Sequence, residues 1–454
     1  MSNFKLLVIL ICSICPPVLL GQVHGKLPDA PMEMQASATS TAPPSAGESI
    51  TREQAEQIAL KNNPRIRVAT LIALAQRQVV RETRSAELPS LYGNATAVGA
   101  EEASRLSSGA LSASRLLNHV GTGVELSQLI TDFGRSHNLV ASSSLQAKAA
   151  EQNAEATRED IVFATDLAFY NALEAQATLQ VANSTVQERQ NVGDQVTALT
   201  KSKLKSTLDQ SFAEVNLSQA KLLVLDSQNQ ADAATASLND LLGTTTNHSY
   251  HLVDDSVVPA PIAGSVEAVI ELALQQRPDL KALRLTHDAD LRFSRAQHEK
   301  LLPTVSAVGV VGATPVASST YFPQNWYGAA GVNVSIPIFD GFKFHAEAAE
   351  ADLRTKAADE QSRQLTDRIV RDVRTAWLST MTAQQRMSVT AELLRQANTA
   401  LDLAQTRYRL GLSSIVELSQ AQLQQTQAQI EDANARFEYE ADLATLRFQS
   451  GSQP

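Results

Sequence analysis

The segment Ile58-Ala59-Leu60-Lys61-Asn62-Asn63-Pro64 returns as Leu272-Ala273-Leu274-Gln275-Gln276-Arg277-Pro278, and Leu88-Pro89-Ser90 returns as Leu302-Pro303-Thr304. Both pairs stand 214 positions apart. Further along, Asp132 corresponds to Asp340, Ala213 to Ala421 and Gly243 to Gly451, now at 208 positions. The chain is one unit written twice, and the spacing changes once, between about residues 90 and 127. A loop tolerates such a change in length; a packed helix does not. Both halves must therefore be built from the same elements.

Each half reads helix, strand, loop, strand, long helix, turn, helix. In the first, a helix is expected from about Thr51 to Glu87, with Ser49 or Thr51 as N-cap and Glu53 in its first turn. Pro64 kinks or divides it, and Pro89 ends it. A long helix follows from Arg135 to Leu199, and a return helix from Thr207 to Leu242 with Gly243 as the left-handed stop. The second half repeats this over Ser265–Leu301, Lys343–Arg409 and Ser414–Gln449, stopped by Gly451. At ~1.5 Å per residue the long helices reach roughly 98 Å and each shorter one roughly 55 Å. The two shorter helices run the same way, opposite to the long one, and end to end they match its height.

A seven-residue recurrence supports helix-to-helix contact. Val416, Leu423, Ile430, Phe437 and Ala444 form one line, and Leu208, Val215, Leu222, Asn229 and Ala236 its counterpart. Such a narrow seam suits a coiled-coil-like layer. A composition of only 5% aromatics fits long helices with thin seams better than a thick globular core.

Between the helices lie strands. In Tyr327–Phe339, Val332, Val334, Ile336 and Ile338 alternate with Asn333, Ser335 and Pro337. Val124 and Leu126 alternate with Glu125 and Ser127 in the first half. The preceding strands, about Pro89–Gly99 and Pro303–Gly312, are rich in Gly and Ala. Apolar-out, polar-in alternation over ~10 residues is the pattern of a membrane barrel strand, although a half-buried soluble strand reads the same way. Tyr321, Phe322, Trp326 and Tyr327 cluster at one strand end, and Phe339, Phe342, Phe344 and Phe133 at the other, as interfacial aromatic girdles do. Four strands cannot close a barrel, so strands in lipid require a dimer or larger assembly.

The expected organisation is a signal peptide over 1–25, a flexible Pro/Ala/Ser/Thr-rich lead-in over 26–49, repeat 1 over 50–243, a linker over 244–263 and repeat 2 over 264–451. The signal peptide rests on Lys5 before the apolar run from Leu6. Cys12 and Cys15 both fall inside it, which leaves the mature chain without thiols for disulfides or metals. No later stretch has the ~18 apolar residues of a spanning helix. A net charge of −10 without a basic, aromatic-interleaved patch excludes nucleic acid as a partner. Asp132-Phe133-Gly134 matches a kinase triplet without its companions. His248 and His251 near Asp254 and Asp255 do not make a zinc pattern. No catalytic residue, metal or cofactor is expected, and the chain is not read as an enzyme.

With these elements in place the sequence resembles the TolC-like outer-membrane efflux protein family from about Ile50 to Gly451. The carriers are the duplicated Leu-Pro, Thr131-Asp132-Phe133-Gly134-Arg135, Ile336-Pro337-Ile338-Phe339-Asp340-Gly341, and Tyr408-Arg409-Leu410-Gly411-Leu412-Ser413-Ser414. The resemblance implies a mainly α fold with a small β part, in which four strands per protomer contribute to a trimeric twelve-stranded barrel on a periplasmic helical tunnel. It implies an outer-membrane exit duct of a tripartite efflux or type I secretion system, working with a periplasmic adaptor and an inner-membrane pump. Val124, Leu126, Val332, Val334, Ile336 and Ile338 would face lipid. Tyr408, Arg409, Gly411, Ser413 and Glu417 would lie at the periplasmic entrance. Lys201, Lys203, Lys205, Leu410 and Leu412 would form the tip that docks the adaptor. Tyr408 corresponds to a tyrosine that ties the closed entrance, and Glu417 to an acid of a ring near the constriction. The chain departs from the family at Ser413, where a characterised member has a basic tether, and at Gln420, where it has a second acid. Lys201, Lys203 and Lys205 stand where a glycine turn is expected. The competing reading is an exported periplasmic coiled-coil spacer or adaptor that never enters lipid. Adaptors, however, carry one helical hairpin and a β-rich domain, not two full helical repeats.

Overall fold

The computed structural model describes residues 49–98, 105–106, 114–115, 119–244, 250–254, 264–313 and 326–451. The expected signal peptide, the lead-in up to residue 48, Tyr321, Phe322, His248, Asp255 and most of the linker lie outside them. In chain order the elements are β1 (Ser49–Ile50), α1 (Arg52–Asn62), α2 (Pro64–Arg84), β2 (Ser90–Val98), β3 (Arg105–Leu106), β4 (Ser114–Arg115), β5 (His119–Thr131), α3 (Arg135–Lys201) and α4 (Thr207–Leu241). There follow β6 (His251–Leu252), α5 (Val266–Gln276), α6 (Pro278–His298), β7 (Thr304–Ala313), β8 (Trp326–Ser335), α7 (Lys343–Arg409) and α8 (Ile415–Ser450). Among the described residues no helix is long and apolar enough to cross a membrane.

The first helix of each repeat is divided at its proline. Asn63 and Arg277 precede Pro64 and Pro278 and sit at ψ 123° and 122°, because proline bars the residue before it from the helical region. Thr51 and Gln54 form a capping box at the start of α1, and the Asn63 side chain caps α2 by accepting the Arg65 N–H. The division corrects the expected end-to-end stacking. It is the starts of α2 and α6, at 21 residues each, that meet the ends of the return helices. Asn63 Nδ2 donates to the Leu241 carbonyl at 2.9 Å, and Arg277 Nη1 reaches Gln449 Oε1 at 2.6 Å. Gly243 and Gly451, at φ +67° and +68°, pack directly on Asn62 and Arg277, where a Cβ would come within about 3 Å of backbone.

Helix α3 is flanked by α2 and α4 and by α6 and α8, while α7 packs on α6 and α8. The 67-residue length of α3 matches that of α7, as the duplication requires. The thickest core gathers where β1 pairs with β6 and α1 lies on α3, around Ile50, Ile161, Phe169, Leu238, Tyr250 and Phe437. Ile161 and its repeat-2 counterpart Ile369 are both buried. Strand β1 straddles the expected boundary between the lead-in and repeat 1, and β6 lies in the expected linker; neither strand was legible there.

The seven-residue seam needs a second correction. Leu208, Val215, Leu222, Asn229 and Ala236 are all exposed, as are Val416 and Leu423; only Phe437 and Ala444 are buried. A parallel line of small residues takes the contact instead: Ala213, Ala220 and Ser227 in α4, and Ala421, Ala428 and Ala435 in α8, all buried. Small side chains let the helix axes approach closely, so the larger ones are left on the outer side.

The four main strands form an antiparallel sheet in the order β2-β5-β7-β8. Its register brings Leu91 opposite Leu126, Val124 opposite Val311, and Val332 and Val334 opposite Ala307 and Val305. These residues share one apolar face. The other carries Ser90, Asn94, Thr96, Ser127, Ser306 and Asn333. Strand β8 ends at Ser335, opposite Thr304, the first residue of β7 after Pro303. Ile336 and Ile338 therefore lie past the paired strand, contrary to expectation, although both are exposed, Ile338 at 94%. Strands β2 and β8 are open edges.

Candidate functional site

Two helical turns close the far ends of the hairpins: α3 to α4 around Lys201–Ser206, and α7 to α8 around Leu410–Ser414. They share a backbone. Lys203 stands at φ +59° where Gly411 stands at +72°, and the N–H of the next residue closes the turn in each, Leu204 to the Leu199 carbonyl at 2.9 Å and Leu412 to that of Arg407 at 2.8 Å. A lysine holds the left-handed position in repeat 1 at a cost of roughly 1–2 kcal/mol, which glycine avoids in repeat 2.

The side chains differ. Ser206 and Asp209 form a complete capping box on α4. Their counterparts are Ser414 and Glu417, and Ser414 Oγ accepts the Glu417 N–H. The Glu417 carboxylate turns away to Arg407 Nε at 3.1 Å and stays half-exposed. Its charge is thus partly offset within its own hairpin.

Tyr408 is buried at 6% exposure with Val196, Ala213, Leu401, Ile415 and Leu418. Its hydroxyl has no hydrogen-bond partner among the described residues. Lys205 Nζ lies 4.0 Å from the centre of the ring. Burial, and then the charge of Asp209, raise the Tyr408 pKa, so the ring stays neutral beneath the ammonium. The structure thus joins a residue expected at the docking tip to one expected at the entrance. Among the described residues Arg409 donates to Thr406 Oγ1 at 3.2 Å and Ser413 Oγ is buried without a partner, while Lys201 and Lys203 are exposed. Leu204, Leu410 and Leu412 are each about two-thirds exposed.

Above the turns, side-chain bonds tie the repeats together. Asn216 Nδ2 donates to Ser419 Oγ at 2.7 Å. Arg189, buried in α3, donates through Nη2 to the Gln422 carbonyl at 2.8 Å and to Thr426 Oγ1 at 3.1 Å. Arg189, Arg407 and Asp209 were not singled out from the sequence. Nothing local marks Arg189: its repeat-2 counterpart is the small, buried Ala397. The Asp209–Glu417 correspondence at the repeat spacing was the available signal for the other two.

Further up, Arg52 of α1 pairs with Glu56 and, at 3.4 Å, with Asp166 of α3. Burial and the adjacent Glu56 push the Asp166 carboxyl well above the usual carboxylate range. At the α5–α6 junction Arg277 pairs with Asp279 at 2.7 Å and lies over Phe448, with Glu159 and Asp160 lining the same small cleft. Among the described residues no three His, Cys, Asp or Glu side chains converge as a metal site, and Asp254, near His251, pairs with Arg436 at 2.7 Å.

The sequence profile of the outer membrane efflux protein family matches residues 56–244 and 269–452. The outer membrane protein TolC of Escherichia coli K12 is 23% identical over 411 residues, covering 85% of this chain and 79% of TolC. The outer membrane protein OprJ of Pseudomonas aeruginosa is 24% identical over 372 residues, covering 80% and 76%. The crystal structure of the CmeC outer membrane channel of Campylobacter jejuni superposes with a TM-score of 0.78 at 18% identity, covering 88% of this chain and 85% of CmeC.

Proposed function

Because the chain belongs to the outer membrane efflux protein family, we propose that it works as the passive exit duct of a tripartite efflux or type I secretion system. It is an outer-membrane protein with a periplasmic helical extension. Three copies join their open sheet edges, β8 of one to β2 of the next, into a twelve-stranded barrel. The helices join likewise, α7 of one copy to α2 and α4 of the next. An inner-membrane pump supplies the energy through a periplasmic adaptor, which docks on Leu204, Leu410 and Leu412 and the lysines between them.

The observation that carries this reading is that strands and helices are left open at the same two borders. The sheet has an apolar face and two unpaired edges. The outermost helices carry exposed apolar side chains, Leu208, Val215 and Leu222 on α4 and Leu378, Val389 and Leu403 on α7. An unpaired strand edge is costly in lipid, and a helical wall with bare apolar borders calls for neighbours. A periplasmic spacer would need neither the apolar sheet face nor the edges.

In this reading the entrance is gated where the hairpins meet. Lys205 over Tyr408 ties the α3–α4 turn to α7, while the Arg407–Glu417 pair holds the second hairpin closed on itself. Three Glu417 carboxylates near the axis favour cations, weakened by their arginine partners. The test is reconstitution of the detergent-purified protein into planar bilayers. Discrete conductance from a trimer resistant to detergent is expected; a water-soluble monomer without membrane association overturns the reading.

A further inference from the structure

The polar face of the sheet carries more than small hydroxyls. Among the described strand residues, Glu125 is the only acidic side chain in β2, β5, β7 and β8, and the register puts it on that face. It stands directly opposite Tyr92 of β2 and Val310 of β7. Its neighbours along the face are Gly123 and Ser127. Glu125 is half-buried and has no ion-pair partner among the described residues.

One row further on, Asn94, Gly123, Gly312 and Tyr327 are aligned across the four strands. The Tyr327 side chain lies over both glycines. Its hydroxyl sits 2.8 Å from where a Cβ on Gly123 would be, and 2.5 Å from one on Gly312. The absence of side chains at these positions lets the tyrosine reach from the edge strand back to β5, two residues from Glu125. The polar face thus gathers one carboxylate and two tyrosines in adjacent rows, on a sheet with no Lys or Arg in its four described strands; His119, opposite Val98, shares the face six residues from Glu125.

We infer that this cluster is a cation-selecting belt inside the barrel, separate from the carboxylates at the periplasmic tip. The inference rests on the duct reading, in which the polar face lines the lumen and three copies repeat the cluster around it. Three carboxylates at one height raise the local concentration of cations and lower that of anions. Tyr92 and Tyr327 add ring faces that attract cations, organic ammonium ions included. The residues are fixed on paired strands, so the belt is independent of any movement at the helical tips.

The effect is electrostatic and must fall with salt. The Debye length is about 10 Å at 0.1 M and about 3 Å at 1 M, so at molar salt the belt no longer reaches the lumen axis. The experiment measures the potassium-to-chloride permeability ratio from reversal potentials in planar bilayers at about 30 mM and at about 1 M KCl. Glu125→Gln and Glu125→Lys are compared with the parent, and all three are repeated with Glu417→Gln so that the tip does not mask the barrel. At low salt E125Q is expected to reduce the ratio about two- to fivefold, and E125K to reduce it further. At about 1 M the three ratios converge. Channels that conduct with the same ratio in all three proteins at low salt overturn the belt and leave the duct intact. Silent bilayers from the parent protein overturn the duct, and the belt falls with it.

Discussion

Replacing Lys205 with methionine keeps most of the side-chain stem and removes the ammonium from the Tyr408 ring. The ring is almost wholly buried and the lysine half-exposed, so the contact lies between the extremes of about 0.5 kcal/mol for an open cation–π pair and about 2 kcal/mol for a desolvated one. Taking about 1 kcal/mol per protomer, a trimer whose three entrance ties release together loses about 3 kcal/mol of closed-state stabilisation. Each 1.4 kcal/mol is tenfold, so the open-to-closed ratio rises about 150-fold. Single-channel recording reads this as a larger fraction of time at high conductance. Tyr408→Leu also opens the entrance, but removes packing against Val196, Leu401 and Ile415, so its effect alone is ambiguous. The double-mutant cycle separates the two contributions. If the contact is the tie, K205M adds nothing in the Y408L background. Equal effects of K205M in both backgrounds, or none in either, refute the assignment.

Introducing Val215→Lys with Leu222→Lys on the exposed line of α4 is expected to abolish the trimer and leave helical circular dichroism unchanged, as checked by sedimentation in detergent; a normal trimer would show that this face is not buried between protomers. Glu159 supplies a pH dependence: burial first, then Glu155, Asp279 and Asp160, raise its carboxyl to about 7 against the opposing pull of Arg277. The folded chain holds a proton there that the unfolded chain releases near its ordinary value, so this contribution is fully present at lower pH and is lost as pH rises through about 7. Thermal unfolding should therefore fall between pH 5.5 and 8, with a shallower slope in Glu159→Gln; an unchanged slope would remove Glu159 from the account. Asp160 and Asp166, also raised by burial, leave a residual slope in that variant.

The residues that could be read from the sequence are those whose signal is periodic or repeated. The bounds of α7, Lys343–Arg409, follow from the duplication and the left-handed glycines, because a helix end needs a particular backbone and few residues supply it. Pro64 and Pro278 announced a break, but not that the return helices would end against the starts of α2 and α6; that depends on the extended conformation of one residue before each proline. A seven-residue line of large apolar residues does not show which side of a helix meets its neighbour, because close helix packing is met here by Ala213, Ala220 and Ser227. Glu125 was legible as a polar strand position. Its isolation needed the register, because only the pairing of β5 with β2 and β7 shows which side chains share its face.

The entrance shows why a duplicated chain does not make a duplicated site. Lys203 and Gly411 hold the same left-handed turn, and Ser206–Asp209 and Ser414–Glu417 cap the same helix starts. Backbone geometry is thus shared by both repeats, and a ring of three protomers would present six nearly equivalent helical hairpins. The chemistry is not shared. Lys205 has Ser413 as its counterpart, Tyr408 has Thr200, Arg407 has Leu199, and Arg189 has Ala397. Two of the tip contacts join unlike partners from the two repeats, Lys205 to Tyr408 and Arg189 to α8, while Arg407 to Glu417 stays within the second hairpin. The contact between the two repeats is held by these polar ties, while the border proposed to lie between protomers carries the exposed Leu208, Val215 and Leu222. Weak, breakable contacts lie on one kind of seam and bulk apolar surface on the other. In the proposed trimer, an entrance built this way is expected to open by parting hairpins within each protomer while the ring between protomers stays closed.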